Sequence, residues 1–381
     1  MRGRVVDVIV VGAGPSGSTA ARQCALRGLD TLLVEKERFP RYKPCAGGVT
    51  RWALSGLDFE LPQELVELEW HGGRVFFQDH FAEAYKPSPV GILVSRSSFD
   101  DLLLERAKQA GASVLLATKA TGFDVRPGHV EVATSGGSFR GKYLIIAEGA
   151  MGKLARRVRG PYRRNEVAVT AVTEIRSSHD EIQKLTQGKI HIHFGVSRRG
   201  YGWIFPHRGY FSVGIGGIHG RATNPIHLLK HFLTEQGLER AERIRGHLVP
   251  IGGFRRRVTG DRVLLVGDAA GFVDAFAGEG IGYAILSGKL AAETIHDTLN
   301  GTPGSTPDLA AFRDRCEARF GARLRQAYYL SRTVHSLPGV FLKTLATQRE
   351  TINRLLDVAM WEISYGEFLI WLLARMPRYL L

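Results

Sequence analysis

Three features of the sequence predict an α/β chain with a discontinuous parallel-sheet domain, an antiparallel-sheet second domain and a helical C-terminal segment. An apolar run, Val5 to Val11, ends in Gly12-Ala13-Gly14-Pro15-Ser16-Gly17 and passes into a helix. The same buried-strand pattern returns at Arg262 to Val266 and again opens onto a long helix. Between the two lie longer strand candidates, from about residue 160 to 250, of the kind that build an antiparallel sheet.

The first strand is broken only by Asp7, and its β-branched continuity suits burial on both faces. Gly12 lets the chain turn tightly, Gly14 admits a pyrophosphate without a Cβ in the way, and Gly17 lets the helix lie close to the strand. The N-terminus of the helix that includes Ser18 to Leu26 presents unpaired N–H groups to the phosphates. The next strand, Thr31 to Val34, ends at Glu35, placed to accept from ribose hydroxyls and unfavourable to a 2′-phosphate. This is a Rossmann-like dinucleotide-binding turn.

Lys36 to Gly48 reads as a proline-punctuated loop, and 58–90 as an insertion with short strands such as Gly73 to Phe77. Ser97 with Asp100, or Ser98 with Asp101, predicts a capping box that starts a helix just after Arg96. Four segments predict a meander over 113–146: Val114 to Leu116, Thr121 to Val125, Val130 to Ala133 and Lys142 to Ile146. Strands follow at Val167 to Ile175, Lys189 to Phe194, Tyr201 to Pro206 and Tyr210 to Ile218. A helix is expected from Gly280 to about Leu299, then a linker at Gly301-Thr302-Pro303-Gly304 and helix to the end. The domains so drawn are 1–57, 91–160 and 251–303 for the nucleotide unit, 58–90 and 161–250 for the second, and 304–381 for the helical region.

Val266-Gly267-Asp268-Ala269-Ala270 is a second strand end with an acid suited to a polyol hydroxyl, or to a helix cap. The helix that begins at Gly278-Glu279-Gly280-Ile281 offers N–H groups to a ring carbonyl whose charge grows on reduction. Two helix N-termini on one ligand fit FAD better than NAD.

A hydrophobic content of 44% supports a true core, and the 45 glycines show no repeating period. Three cysteines, at 24, 45 and 316, without a CxxC pair suit a reducing compartment and exclude a zinc knuckle. The first strand follows Met1-Arg2-Gly3-Arg4 directly, so no targeting peptide is expected and the expected location is cytoplasmic. The net charge of +14 suits an anionic lipid surface, a phosphorylated substrate or nucleic acid, but no nucleic-acid motif accompanies it.

The glycine turn with Glu35, Arg96 before its helix, and Gly267-Asp268-Ala269-Ala270-Gly271 resemble FAD-dependent oxidoreductases of the para-hydroxybenzoate hydroxylase fold. Arg41-Tyr42-Lys43-Pro44-Cys45-Ala46-Gly47-Gly48 and Tyr201-Gly202-Trp203-Ile204-Phe205-Pro206 are similar to signatures of the geranylgeranyl reductase family. The chain departs from the family at Arg198, where a proline is usual, at Ala46, where glycine is common, and at Glu148, where many hydroxylases of the fold carry aspartate. The resemblance implies FAD contacts at Gly12, Gly14, Ser16, Gly17, Glu35, Lys36, Cys45, Ala46, Gly48, Arg96, Ala120, Asp268, Gly280 and Ile281. It also implies that Tyr201 and Trp203 line a prenyl pocket.

Tyr201, Trp203 and Phe205 project from one face of a strand, as an aromatic wall for an isoprenoid chain or as plain core. Cys45 is a candidate proton donor, redox partner or packing residue. His191 and His193 share a strand face without a third ligand, so a packed pair is expected and no metal. Arginines 156, 157, 159, 163 and 164, and 255 to 257, are candidates for lipid or substrate phosphate. The run Phe368 to Ala374 is far below the roughly 20 residues that span a bilayer. Flanked by Trp361, Tyr365, Arg375, Arg378 and Tyr379, it reads as an interfacial helix or as a core helix over the pocket.

The resemblance implies an FAD-dependent reductase of isolated double bonds in a geranylgeranyl or polyprenyl chain, peripheral on the inner face of the cell membrane. The chain is carried by an archaeal-type glycerophospholipid, a tetrapyrrole, a quinone or a diphosphate, and the electrons come from NAD(P)H, ferredoxin or another small reductant. An aromatic monooxygenase of the same fold, and a basic membrane- or nucleic-acid-binding flavoprotein without turnover, are the alternatives.

Overall fold

A computed structural model describes residues 4–218, 224–241, 243–252, 255–301, 309–334 and 338–380; the expected linker residues Thr302 to Gly304 lie outside them, as do Met1 to Gly3. The chain begins β1 (Val5–Val11), α1 (Pro15–Leu26), β2 (Thr31–Val34), β3 (Gly48–Thr50), α2 (Arg51–Ser55), β4 (Leu68–Trp70), β5 (Gly72–Phe77), β6 (His80–Tyr85), β7 (Gly91–Leu93) and α3 (Arg96–Gln109). It continues through β8 (Ser113–Leu115), β9 (Ala120–Arg126), β10 (His129–Thr134), β11 (Gly137–Ile146), α4 (Lys153–Arg159), β12 (Val167–Arg176), α5 (His179–Thr186) and β13 (Ile190–Phe194). Then come β14 (Gly200–His207), β15 (Tyr210–Ile218), α6 (Pro225–Glu235), β16 (Arg245–Pro250), β17 (Thr259–Gly260), β18 (Val263–Leu265) and α7 (Ile281–Leu299). The C-terminal helices are α8 (Ala310–Cys316), α9 (Ala322–Val334), α10 (Pro338–Thr347), α11 (Arg349–Ala359) and α12 (Tyr365–Leu380).

Eight strands form the first sheet, along the path β17-β18-β11-β1-β2-β8, with β10 and β9 added beside β11. β18, β11, β1, β2 and β8 run parallel, which explains why residues 8–11, 32–34, 143–146 and 263–265 are apolar without alternation. Both faces are covered. The expected four-part meander is corrected here: β8 joins β2 in the parallel sheet, and only β9, β10 and β11 run antiparallel to one another. The helix after Ser95 also differs from expectation. It starts at Arg96 with Ser95 as N-cap and no side-chain cap, because the Asp100 carboxylate is taken by arginines instead.

A second, seven-stranded sheet has the order β16-β12-β15-β14-β13-β5-β6. All its pairs are antiparallel except β13 with β5. One face packs on α5 and α6 through Phe211, Ile215, Leu229 and Phe232. The opposite face, around Val75 and Ile190, meets the C-terminal helices through Leu330, Leu345, Leu356 and Phe368. A small third sheet, β3-β7-β4, lies next to α2 and the start of α7. The three sheets therefore converge on the start of α7.

Candidate functional site

The glycine turn is shaped by backbone crowding at two of its three glycines. Gly12 has φ +102°, and a Cβ there would sit 2.4 Å from the Ala147 carbonyl oxygen. At Gly17 a Cβ would lie 1.8 Å from the Gly12 carbonyl oxygen, so this residue sets how closely α1 approaches β1. Gly14 is different: its Cβ would meet only the Arg41 guanidinium, at 3.8 Å, which leaves a cradle beside the helix N-terminus. Ser16 is buried at the crossing of α1 with α7, where its carbonyl oxygen would lie 2.5 Å from a Cβ on Gly288. Glu35, also buried, accepts from the Ala13 N–H at 2.7 Å and the Glu37 N–H at 2.8 Å, so its carboxylate lies at the turn. Lys36 is exposed and faces Glu37, while Ala120 starts β9 close to the strand end, where Thr118 donates its N–H to the Glu35 carbonyl.

Across the cradle lies a basic group that motif reading missed in part. Arg96 bonds both oxygens of the fully buried Asp100 at 2.9 Å, and Arg41 adds a third bond to the same carboxylate. Burial works against the Arg96 charge, but Asp100 and Cys45 outweigh it and hold the guanidinium firmly protonated. Lys43 donates to His247 Nε2 at 2.8 Å; burial pushes the ammonium down to about 8, opposed chiefly by Asp268. Burial likewise pulls His247 down to about 3, with Lys43 and Arg96 adding to it, so the ring is a neutral acceptor. Asp268 stands in a single turn, Gly267–Ala269, and caps no long helix; burial raises its carboxyl against the pull of Lys43 and Arg96. Its Oδ1 would lie 3.3 Å from a Cβ on Gly280, at the N-terminus of α7. Arg41 Nη1 is buried without a hydrogen-bond partner. An orphaned cationic donor, an open glycine and two helix N-termini facing one space fit a dinucleotide pyrophosphate and its attached ring.

From this cradle a cavity of about 380 Å³ runs between the second sheet and the C-terminal helices. Cys45, Ala46, Gly48, Gly280 and Ile281 line its cradle end, and Ile352, Leu355, Leu356 and Ala359 of α11 line its helical side. Tyr201, Trp203 and Phe205 lie on one face of β14 and all border it. Trp203 is flat against Gly214, where a Cβ would come within 2.1 Å of the indole. Tyr201 donates its hydroxyl to the Ala277 carbonyl at 2.6 Å, which joins the aromatic strand to the loop before α7. In that loop Glu279 accepts from Thr50 at 2.6 Å and Trp52 Nε1 at 3.1 Å. Burial pushes Glu279 up to about 7, with Asp274 adding, so the acid holds a proton near neutrality. Asp274, raised by burial, accepts from Tyr365 at 2.9 Å and from the Phe276 and Ala277 N–H groups, and so ties α12 to the channel wall.

Other candidates lie elsewhere. His191 and His193 pack on the opposite face of the sheet, where Phe76 stacks on His193 with centroids 4.3 Å apart. Burial lowers His191 to about 4, with Arg74 adding, and His193 to about 3. Because these folded values lie below that of an unfolded histidine, the stability tied to the neutral rings is whole above pH 6.5 and lost as pH falls towards about 4. Each ring is expected to cost up to about 1.4 kcal/mol per pH unit in that window. The slope of unfolding free energy between pH 7 and 5 should flatten in H193F, and an unchanged slope would contradict the assignment.

Several of the arginines read as phosphate ligands are engaged by the protein itself, although Arg157 is exposed and only Arg256 is buried. Arg157 donates to the Phe123 carbonyl, Arg159 to the Ala269 carbonyl, and Arg256 pairs with buried Glu166; Arg159 and Arg256 also lie over the Tyr162 ring. Glu148 accepts from the Ala155 N–H and serves α4. On α12 the apolar run divides. Phe368 and Leu372 are buried, whereas Ile370 is 71% and Leu373 60% exposed, and Arg354 and Arg375 lie over the Trp371 ring. The Arg378 and Tyr379 side chains lie outside the described residues. Among the described residues no helix is long and apolar enough to cross a membrane, and no group of three or more metal-ligating side chains is present.

The model of the FAD dependent oxidoreductase family matches residues 7–168. The menaquinone reductase of Mycobacterium tuberculosis is 33% identical over 313 residues, covering 76% of this chain and 76% of that protein. The digeranylgeranylglycerophospholipid reductase of Methanocella arvoryzae is 29% identical over 367 residues, covering 88% and 91%. A solved geranylgeranyl bacteriochlorophyll reductase-like protein from Thermoplasma acidophilum superposes with a TM-score of 0.78 at 23% identity, covering 94% and 92% of the two chains, and shares the fold. The expected cofactor is thereby FAD, and the chain belongs to the geranylgeranyl reductase family of FAD-dependent oxidoreductases.

Proposed function

We propose that this oxidoreductase hydrogenates isolated double bonds of a geranylgeranyl or related polyprenyl chain carried on a lipid. The observation that supports it most is the cavity itself, which opens at the cradle and is walled mainly by aliphatic and aromatic side chains, with Asp274, Glu279 and Arg323 among the few charged ones. The turn from Gly12 to Gly17 would hold the FAD pyrophosphate, with Glu35 at the adenosine ribose and Lys36 and Ala120 nearby. Arg41 and Arg96 would face the pyrophosphate, and Asp268, Gly280, Ile281 and the Cys45 to Gly48 loop would hold the flavin half. Reduced FAD supplies hydride equivalents, which an isolated alkene accepts only when closely aligned because no carbonyl polarises it.

The chain's own residues provide that alignment. Tyr201, Trp203 and Phe205 offer a flat wall against which a branched hydrocarbon lies, and the helices α11 and α12 keep water from it. Cys45 and Glu279 both border the channel, and Glu279 carries a proton up to about pH 7. Electrons come from an external donor such as NAD(P)H or ferredoxin. The exposed Ile370 and Leu373 beside Arg354 and Arg375 support docking on an anionic lipid surface, where prenyl lipids reside.

Reduced holoenzyme incubated with geranylgeranyl lipid or diphosphate should yield products heavier by two hydrogens per bond, read by mass spectrometry. Substrate in anionic vesicles should be consumed faster than in neutral ones. Unchanged mass with every donor would overturn the reading, and equal rates in the two vesicles would overturn the docking.

A further inference from the structure

The Cys45-Ala46-Gly47 turn is held from the second sheet by a pair of side chains with no part in the cradle. His207, the last residue of β14, is 4% exposed and its Nε2 lies 2.9 Å from the Ala46 carbonyl oxygen. A carbonyl only accepts, so Nε2 carries a proton. Nδ1 faces the Glu67 carboxylate in a close contact, and that same oxygen already accepts from the Tyr210 hydroxyl at 3.1 Å. A carboxylate on one side and a carbonyl on the other leave the ring one orientation. Tyr210 fixes its plane by stacking on it with centroids 4.5 Å apart. Glu67 itself is anchored through its N–H to the Leu93 carbonyl, and Glu174 adds a second acid near the ring.

The turn is built around this ring. Gly47 has φ +79°, and a Cβ there would lie 2.8 Å from His207 Cε1 and 2.4 Å from the Val94 carbonyl oxygen. Within the turn the Gly47 N–H points at Cys45 Sγ, 3.4 Å away, and Ser212 donates to the Cys45 carbonyl at 3.3 Å. Cys45 and Ala46 then face the channel. We propose that Glu67 and His207 are a positioning pair that sets the place of the Cys45 thiol at the cradle end of the channel, by holding the Ala46 carbonyl and leaving room only for glycine at 47. The proposal rests on the reading of that channel end as the reaction site, but its test needs no prenyl turnover.

The measurement is the rate of Cys45 alkylation by iodoacetamide in FAD-loaded protein, followed by peptide mass spectrometry, with the flavin absorption spectrum beside it. Cys24 and Cys316 are buried and serve as internal references for global opening. H207F, which keeps a ring for Tyr210 and removes both nitrogens, should raise the Cys45 rate about tenfold and shift the flavin spectrum, the size set by loss of one buried hydrogen bond. H207Q, which restores a donor towards Ala46, should return the rate to within about threefold of wild type. E67Q, which keeps the fold of the strand end and weakens the orienting contact, should fall between them and decides the matter if H207F does not fold. Equal rates and spectra in wild type, H207F and E67Q would overturn the proposal, as would H207Q behaving like H207F. A protein that follows the expected order yet leaves prenyl chains unchanged would sink the proposed function and keep the positioning pair.

Discussion

Gly17→Ala is expected to abolish FAD retention and to lower unfolding free energy by about 4 kcal/mol, the range reserved for changes that force backbone apart. The added methyl would have to occupy a point 1.8 Å from the Gly12 carbonyl oxygen, and the Ala147 Cβ, 3.0 Å away, leaves it nowhere to go. Relief requires α1 to move away from β1, which also withdraws its N-terminal N–H groups from the cradle and disturbs the crossing of Gly288 on Ser16. The purified variant should be colourless, and its denaturant midpoint should fall with an unchanged slope. Gly14→Ala separates the two effects. Its methyl points into open space bordered by Arg41, so stability should hold while flavin affinity falls. A yellow Gly17→Ala protein with the wild-type midpoint would refute the crowding argument.

Asp100→Ala has a comparable cost for an electrostatic reason. The carboxylate is wholly buried and is the shared acceptor of Arg96 and Arg41, whose side chains are 9% and 16% exposed. Removing one member of a buried ion cluster leaves the others uncompensated, and about 3 to 5 kcal/mol is the usual loss. Part of it should be recovered by adding flavin, because Arg41 and Arg96 face the cradle where a pyrophosphate would stand in for the lost charge. The test is urea unfolding with and without FAD, alongside Asp100→Asn. A variant as stable as wild type, or one that FAD does not rescue, contradicts the arrangement.

The parts of the fold legible in the sequence are those that depend on neighbours along the chain. The runs Val5–Val11 and Thr31–Val34 are apolar without alternation because they are central parallel strands, and the strand bounds match. Tyr201, Trp203 and Phe205 had to share a face by the two-residue period of a strand. What stayed hidden depends on distant residues. Asp100 sits where a capping acid belongs, and nothing local says that Arg41, far upstream, will claim it. The Lys43 partner, His247, and the Ala46 partner, His207, come from another sheet altogether. β8 reads as a meander strand from its place just ahead of β9 and β10, yet its edge position beside β2 was decided by the crossover through α3. Glu279 was visible between two glycines, but its burial against Thr50 and Trp52 was not.

The parallel pairing of β5 with β13 has a kinetic corollary. Synthesis must deliver Phe194 before the strand made from residues 72 to 77 finds its companion, so this half of the molecule waits with an unsatisfied ribbon edge as it emerges. The hairpin of β5 and β6 is then the segment most exposed to clumping in a nascent chain, and ribosome-bound intermediates shorter than that point are the species a chaperone would meet.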